Sequence, residues 1–371
     1  VVAARVRCVL DAGATVDELA CKVVADGVAP QCAAGCAVRR GDKWLCDRGG
    51  ALELLFDLAS VTKPMTAVAV ACAGIALETP LGALLPEARG TPSERIPLEL
   101  FLAHRAGLEG HRPLYAPLLR DEKLDVAAAL HEAAGAKLGD AGSAVPVDGY
   151  APLYSDLGYI LAGEALARAS GSRDAGEAIG RLVLEPLGVS TQAGTIRELA
   201  SRGVHGPFAT TETVPWRGGR IVGAVHDENA WALTGDGGSG HAGIFGTVDA
   251  VLRFGTAVLD QIDDIAAPFG RRIDLDWAVR ERPGGTLRAG FDGKDSEGSS
   301  AGERMGARAF GHLGFTGTSL WIDPDAKVVI TLLTNRVCRG RDHVAIRAAR
   351  PWAHDWLFDR TMALVSRVRN S

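Results

Sequence analysis

One run of residues constrains this chain more than any other. From Ser60 to Leu77 it reads SVTKPMTAVAVACAGIAL, small and apolar on every side. The spacing predicts a helix, and a helix that is apolar all round has to be enclosed by the rest of the fold. Its longest apolar stretch, Ala67–Leu77, falls short of the roughly 20 residues that cross a membrane, and no other stretch comes closer, so no transmembrane segment is expected. The enclosing layers must come from the remainder of 371 residues, enough for a large core without disulfides or metals.

The wider composition narrows the partners. The net charge is −5, which argues against a nucleic acid or an anionic membrane surface. Cysteines stand at positions 8, 21, 32, 36, 46, 72 and 338, an odd set without a C-x-x-C pair. Neither a disulfide framework nor a zinc site is expected from that pattern; reduced thiols packed like small hydrophobes fit it better. Val1–Asp11 is a mixed sequence without a signal-peptide pattern. Together these point to a cytoplasmic chain.

Enclosure of the central helix can be read from the flanks. Val16–Val28 has helical spacing. Cys32–Arg40 and Lys43–Arg48, split by Gly41-Asp42, read as a β-hairpin. Glu53–Leu58 is either a strand or the approach to the helix. Helical spacing returns near 97–104, 121–134, 156–170, 174–185 and 248–260. Past position 284, strands are expected at Thr286–Phe291, Ala309–Phe315, Thr318–Ile322 and Lys327–Thr334, with a Pro324-Asp325 turn, and then a closing helix His343–Leu364. Asp292–Arg304, rich in Gly, Ser and charge, reads as a mobile surface loop. Strands at both ends and helices between them predict an α+β fold. Residues 1–64 and 284–371 would form a discontinuous sheet lobe, and residues 65–283 a helical lobe.

Several catalytic signatures are missing. No G-x-S-x-G and no H-E-x-x-H occurs. Gly235–Gly240 matches G-x-G-x-x-G but lacks a preceding strand, and reads as a flexible loop. What remains is Ser60-Val61-Thr62-Lys63, an S-x-x-K. With so few Lys in the chain, such a match arises by chance about 0.3 times. Three residues make nearly one helical turn, so both side chains share a face. A Lys in so apolar a helix should be desolvated and favour its neutral amine, a general base beside a hydroxyl nucleophile. The helix N-terminus supplies free N–H groups for an oxyanion. A Ser that merely caps a helix, beside a Lys that snorkels to solvent, reads equally well from this motif alone.

Two more segments follow: Tyr154-Ser155-Asp156 opening the helix near 156–170, and His312-Leu313-Gly314 followed by Phe315 on a strand. The ordered set SVTK, YSD, HLG resembles the serine β-lactamase and penicillin-binding protein superfamily, nearest its class C, esterase and D-aminopeptidase branch. In that family the motifs are S-x-x-K, Y-x-N and K-T-G or H-T-G, in this order. FDLASVTKPMTA, LAHRAGL, EPLGV, GHAGIFGTVDAVLRF and SLWIDPDAKVVITLLTNR look like the family too, so the resemblance runs from about 30 to 340.

The resemblance implies an antiparallel sheet flanked by terminal helices, a helical lobe, and an active site between them. It implies Ser60 as the acylated nucleophile, Lys63 as the group sharing its proton, and Tyr154 as partner base and acid. The N–H groups of Ser60 and Phe315, beside Gly314, would form the oxyanion site. His312 would support Tyr154 or meet a substrate carboxylate, and Asp156 would face the substrate. No metal or organic cofactor is implied. The substrate would be a small ester, amide or peptide.

Three departures bear on that substrate. Asp156 replaces Asn and, when ionised, can only accept hydrogen bonds. Leu313 replaces a Thr hydroxyl. His312, mostly neutral near pH 7, replaces a charged Lys. Each weakens recognition of a β-lactam, so an esterase or a peptidase/amidase with weak or no β-lactamase activity is expected. The other readings are a non-hydrolytic penicillin-binding receptor and a catalytically dead scaffold. Of the remaining polar groups, His226-Asp227-Glu228-Asn229 reads as a cleft-rim loop rather than a metal site. His241 reads as a loop-fixing hydrogen bond, His104 as a helix C-terminal residue, and Arg336, Arg339 and Arg341 as a solvated basic face.

Overall fold

The computed structural model describes residue 10 and residues 13–137 and 145–369. Cys8 and most of the N-terminal run read above lie outside the described residues. The centre is a six-stranded antiparallel sheet made from both ends of the chain. Its strands are β1 (Cys32–Arg40), β2 (Lys43–Gly50), β3 (Asp292–Gly293), β4 (Phe310–Leu313), β5 (Ser319–Asp323) and β6 (Val328–Thr334), in the spatial order β2-β1-β6-β5-β4-β3. β1 and β2 form the expected hairpin, with Arg40 opposite Lys43 across the Gly41-Asp42 turn. β1 then pairs with β6 from Cys32↔Thr334 to Val38↔Val328, which closes the sheet across nearly the whole chain.

Both faces of this sheet are covered, which is why β1 and β6 are apolar runs rather than alternating ones. Alternate residues separate cleanly into two cores. Cys32, Ala34, Cys36, Val328, Ile330 and Leu332 pack with the terminal helices Val16–Ala25 and Ala345–Arg369. Ala33, Ala37, Val329 and Leu333 join the larger core under the other helices. The helix Val248–Ile262 lies directly on this second face, against β1, β5 and β6, although its position in the chain falls within the span expected for the helical lobe.

The apolar run that opened the argument is enclosed as expected: Thr62 through Val70 are all buried. The helix is Thr62–Ala73 and stops at Gly74, whose φ of +68° gives a left-handed C-cap. Ser60 itself sits in the single 3-10 turn Ala59–Val61 that leads into it. Asp156–Ser170 is helical throughout, with Ser155 as N-cap.

Three expectations fail for local reasons. Thr286–Phe291 is not a strand. It folds back on itself, with Arg288 N–H donating to Phe291 O and Gly293 N–H to Thr286 O. Asp292–Arg304 is no free loop: it begins with β3, and the Asp355 carboxylate accepts the N–H groups of Glu303 and Arg304 at 2.7 and 2.8 Å. The third fails in part: the glycines at 235–240 do lie in a loop, but only Gly235 and Asp236 are exposed. Gly237 and Gly238 are buried against Asp174 and Gly176, and Gly240 against the helix 156–170, where a Cβ on it would strike the Tyr159 carbonyl and Gly163. Among the described residues no helix is long and apolar enough to cross a membrane.

Candidate active site

Three segments meet where the central helix begins. The first is the turn that presents Ser60. Ala59 has φ +48°, a left-handed conformation that costs a residue with a Cβ roughly 1–2 kcal/mol. It is held there by its N–H, which donates to Asp57 Oδ1 at 2.8 Å. Asp57 also accepts the His226 N–H at 2.7 Å; burial pushes its pKa up to about 6.

Lys63, one turn on, is 0 % exposed. Its amine donates to Ser60 Oγ at 3.0 Å and to Asp156 Oδ1 at 2.7 Å. It also lies over the rings of Tyr154 and Tyr159, at 4.7 and 5.5 Å. The expectation of a neutral amine fails here. Burial does pull Lys63 towards neutrality, but the Asp156 carboxylate and the Tyr154 oxygen outweigh it and leave its pKa above the ordinary lysine value. Burial opposes the Asp156 charge as well, and the Lys63 ammonium overrides it, holding that carboxyl below its usual range.

Tyr154 arrives from the second segment, just before the helix 156–170. Its ring is 37 % exposed to the cleft, while its hydroxyl sits inward, within reach of Lys63 and Ser60. Burial raises its pKa and the Lys63 charge pulls it back only in part, so the phenol is protonated at rest. One face of the ring stacks on His104, centroids 4.7 Å apart, and the His312 ring lies at 5.9 Å.

β4 brings the third segment. β3 pairs only with Phe310 and Gly311, so beyond Gly311 that edge of β4 is open. His312 is 4 % exposed, not a solvent-facing strand residue; its Nδ1–H donates to Leu313 O at 2.8 Å. Burial, then the Lys63 charge, drives its pKa down to about 3, so it is a neutral ring. Phe315 is 45 % exposed and stacks on His226. Among the described residues, neither the Ser60 nor the Phe315 N–H donates to a protein acceptor. Ser60, Tyr154, Asp156, Gly314 and Phe315 therefore line one cleft of about 520 Å³.

The structure thus brings together Ser60, Lys63, Tyr154, Asp156, His312, Gly314 and Phe315. Asp156 does not present a free carboxylate: one oxygen is taken by Lys63. Sequence reasoning missed several neighbours. His104 does follow a helix C-terminus, just past the C-cap Ala103 of Leu98–Leu102, but its ring serves another segment. It is buried, with φ +58°, and its Nδ1 accepts the Ser155 N–H at 3.0 Å. Thr316 and Thr318 donate to Asp57 O and Leu58 O at 2.7 and 2.8 Å, stitching the Phe315 turn to the chain that enters Ser60. Arg336 is not solvated; it turns inward, donating to Phe315 O at 2.8 Å, whereas Arg341 is half-exposed and ion-paired to Glu212 and Glu228. His241 bonds Asp227 at 2.8 Å, as a loop-fixing residue should.

A family model described as Beta-lactamase matches residues 22–351, so the chain belongs to the beta-lactamase family. Solved structures share the fold. A beta-lactamase from Mycobacterium bovis has a TM-score of 0.58 and 22 % identity, over 92 % of this chain and 99 % of that one. The class C beta lactamase from Rhodobacter sphaeroides scores 0.60 at 14 % identity, over 95 % and 99 %. EstCE1, a hydrolase with promiscuous acyltransferase activity, scores 0.63 at 18 % identity, over 92 % and 97 %. Among curated proteins, the chain is 28 % identical to an N-acetylmuramyl-L-alanine amidase of Bacillus subtilis over 52 % of its length and 46 % of the amidase. It is 34 % identical to a putative D-alanyl-D-alanine carboxypeptidase of Salmonella gallinarum over 36 % of its length and 30 % of that protein. The chain spans less than half of either curated relative.

Proposed function

We propose that this protein hydrolyses a small ester, amide or peptide through an acyl-enzyme on Ser60. The observation that carries this reading is the fully buried Lys63 amine 3.0 Å from the Ser60 hydroxyl, with that serine in an open cleft. Lys63 starts as an ammonium, so the proton path differs from that of a free amine base. As Ser60 attacks, Lys63 takes the Oγ proton while passing one of its own to Asp156. The Tyr154 phenol, protonated at rest, gives its proton to the leaving group. The Asp156 proton then returns through Lys63 to Tyr154. Water repeats the sequence on the acyl-enzyme, releasing the acid. The oxyanion is met by the N–H groups of Ser60 and Phe315.

The relatives named amidase and carboxypeptidase, and the fold neighbour named hydrolase, support acyl transfer. The three departures at Asp156, His312 and Leu313 support weak or absent β-lactam turnover. The cleft also carries Arg336 and Arg347, neither with a carboxylate partner among the described residues, which suits an acyl donor bearing an anionic group. The test is incubation with p-nitrophenyl butyrate and a fluorescent penicillin, beside Ser60→Ala. Ester turnover that disappears in the mutant supports the reading. Stoichiometric labelling without turnover would make the protein an acyl-binding receptor instead, and no reaction with either probe would leave only a scaffold.

A further inference from the structure

Arg350 is an odd residue to find where it is. It lies on the C-terminal helix, 8 % exposed, and no carboxylate pairs with it among the described residues. Its Nε has no hydrogen-bond partner among the described residues. Burial, then the charge of Arg336, brings its pKa down to about 9, which leaves it cationic at neutral pH. A buried cation without a counter-ion is expensive to keep, and its charge is poorly screened.

Its two hydrogen bonds show where that charge is directed. One η-nitrogen donates to Gly314 O at 2.9 Å and to Thr318 O at 2.8 Å. The carbonyl of Gly314 and the N–H of Phe315 belong to one peptide unit. In a trans peptide the two point in opposite directions. A cation on the carbonyl side therefore leaves the N–H directed away from it. A charged donor on the carbonyl draws electron density through the peptide and strengthens its N–H as a donor, an effect largest where the dielectric is low. The turn is otherwise fixed: Gly314 N–H donates to Thr318 O at 2.8 Å, and a Cβ on Gly314 would collide with Thr318 and Leu58.

We infer that Arg350 is a positioning residue of the oxyanion site, polarising the Gly314–Phe315 peptide from behind so that its N–H meets the developing negative charge. This rests on Ser60 being the acylated nucleophile. Losing a direct oxyanion donor costs about 10²–10³ in kcat, so an effect carried through one peptide should be about tenfold. The test compares wild type with Arg350→Gln, whose amide can still hold a turn carbonyl but carries no charge.

Four quantities are read: kcat and KM on p-nitrophenyl butyrate, affinity for phenylboronic acid, and the infrared carbonyl stretch of the butyryl-enzyme. We expect about tenfold lower kcat with KM within about twofold, boronate affinity falling in parallel, and a stretch moved to higher wavenumber. A merely structural Arg350 would leave the stretch where it is, and an unmoved stretch in R350Q overturns the inference whatever happens to kcat. Should R350Q fail to fold, R350K keeps the charge and must retain the wild-type stretch and boronate affinity; a shift there overturns it as well. Absence of any butyryl-enzyme in the wild type overturns the Ser60 reading and this inference together, whereas an acyl-enzyme indifferent to R350Q overturns the inference alone.

Discussion

The Lys63 ammonium and the Asp156 carboxylate meet at 2.7 Å, the lysine side chain wholly enclosed and the aspartate mostly so. Each is costly to bury alone, and each holds the other charged. Asp156→Asn removes one partner and leaves Lys63 in a site that favours its neutral form. Breaking a buried pair in this way costs about 3 kcal/mol or more. The raised Lys63 contributes stability below the pKa of an unfolded lysine and loses it as pH rises through its folded pKa. The lowered Asp156 contributes above the unfolded carboxyl pKa and loses it as pH falls through its own. The window is therefore between about pH 4 and pH 10. At pH 7, D156N should unfold at clearly lower urea than wild type; equal midpoints would mean the pair contributes nothing. With Asp156 gone, burial pushes Lys63 towards its neutral amine, which can take the Ser60 proton without that relay, and Asn can donate to a substrate amide, so the same variant should label faster with a fluorescent penicillin.

Acid should unfold this protein early. His104, His226, His312 and His354 are all buried and held neutral, chiefly by desolvation; His226 falls to about 4, and His312 and His354 to about 3. The unfolded chain takes up protons near pH 6.5 and the folded one does not. Stability therefore falls as pH drops below 6.5, at up to about 1.4 kcal/mol per pH unit for each histidine. Asp57, raised to about 6, opposes this between pH 4 and 6, as do Glu198, Asp292 and Asp355, which burial also raises, whereas carboxyl groups held low, Asp156 among them, act with the histidines. Urea midpoints at pH 7 and pH 5 measure the balance, and a midpoint that does not decrease refutes it. For the same reason, neither His104 nor His312 should contribute an inflection near pH 6.5 to ester turnover.

His104 ties the Tyr154 ring to the start of the helix 156–170. His104→Phe keeps a ring to stack on Tyr154 but removes the acceptor for the buried Ser155 N–H, which costs about 1–3 kcal/mol. His104→Asn tolerates the left-handed backbone better and retains an acceptor, yet loses the stack. H104F should therefore be the less stable of the two and H104N the slower. Melting temperatures and kcat on p-nitrophenyl butyrate separate the two effects, and the reverse order in both would show that the stack does not orient the phenol.

Much of this fold was legible because two different periods coexist in the sequence. The hairpin and β6 stand out as apolar runs bounded by turn residues, and the central helix as a segment with no polar face. The Ser60/Lys63 pair stood out by its spacing, but it read as a site only once the YSD and HLG segments stood beside it. The protonation state of Lys63 was not legible, because Asp156 lies 93 positions away and no local pattern says which carboxylate will reach it. Arg336 misled for a related reason. Arginine is usually a surface residue, and only the path of the chain after β6 turns this one inward, onto the Phe315 carbonyl. The failed strand at Thr286–Phe291 was a matter of local geometry: its composition suits a strand, but Gly290, at φ +98°, turns the chain back.

Thr316 and Thr318 connect the two proposed oxyanion donors more directly than any other side chains. Their hydroxyls donate to Asp57 O and Leu58 O, three and two residues before Ser60, while Phe315 precedes Thr316 in the chain. The distance between the Ser60 and Phe315 N–H groups is thus set by two short hydrogen bonds rather than by strand pairing. Replacing both by valine keeps the shape and removes both bonds, leaving two buried carbonyls without these donors. Each loss should cost about 1 kcal/mol of stability. The larger effect should be kinetic, since an oxyanion site loosened by a fraction of an ångström loses stabilisation only where charge develops. T316V/T318V should therefore lower kcat about tenfold or more with little change in KM. A raised KM at unchanged kcat would instead make these threonines part of the substrate-binding surface and separate them from the oxyanion geometry.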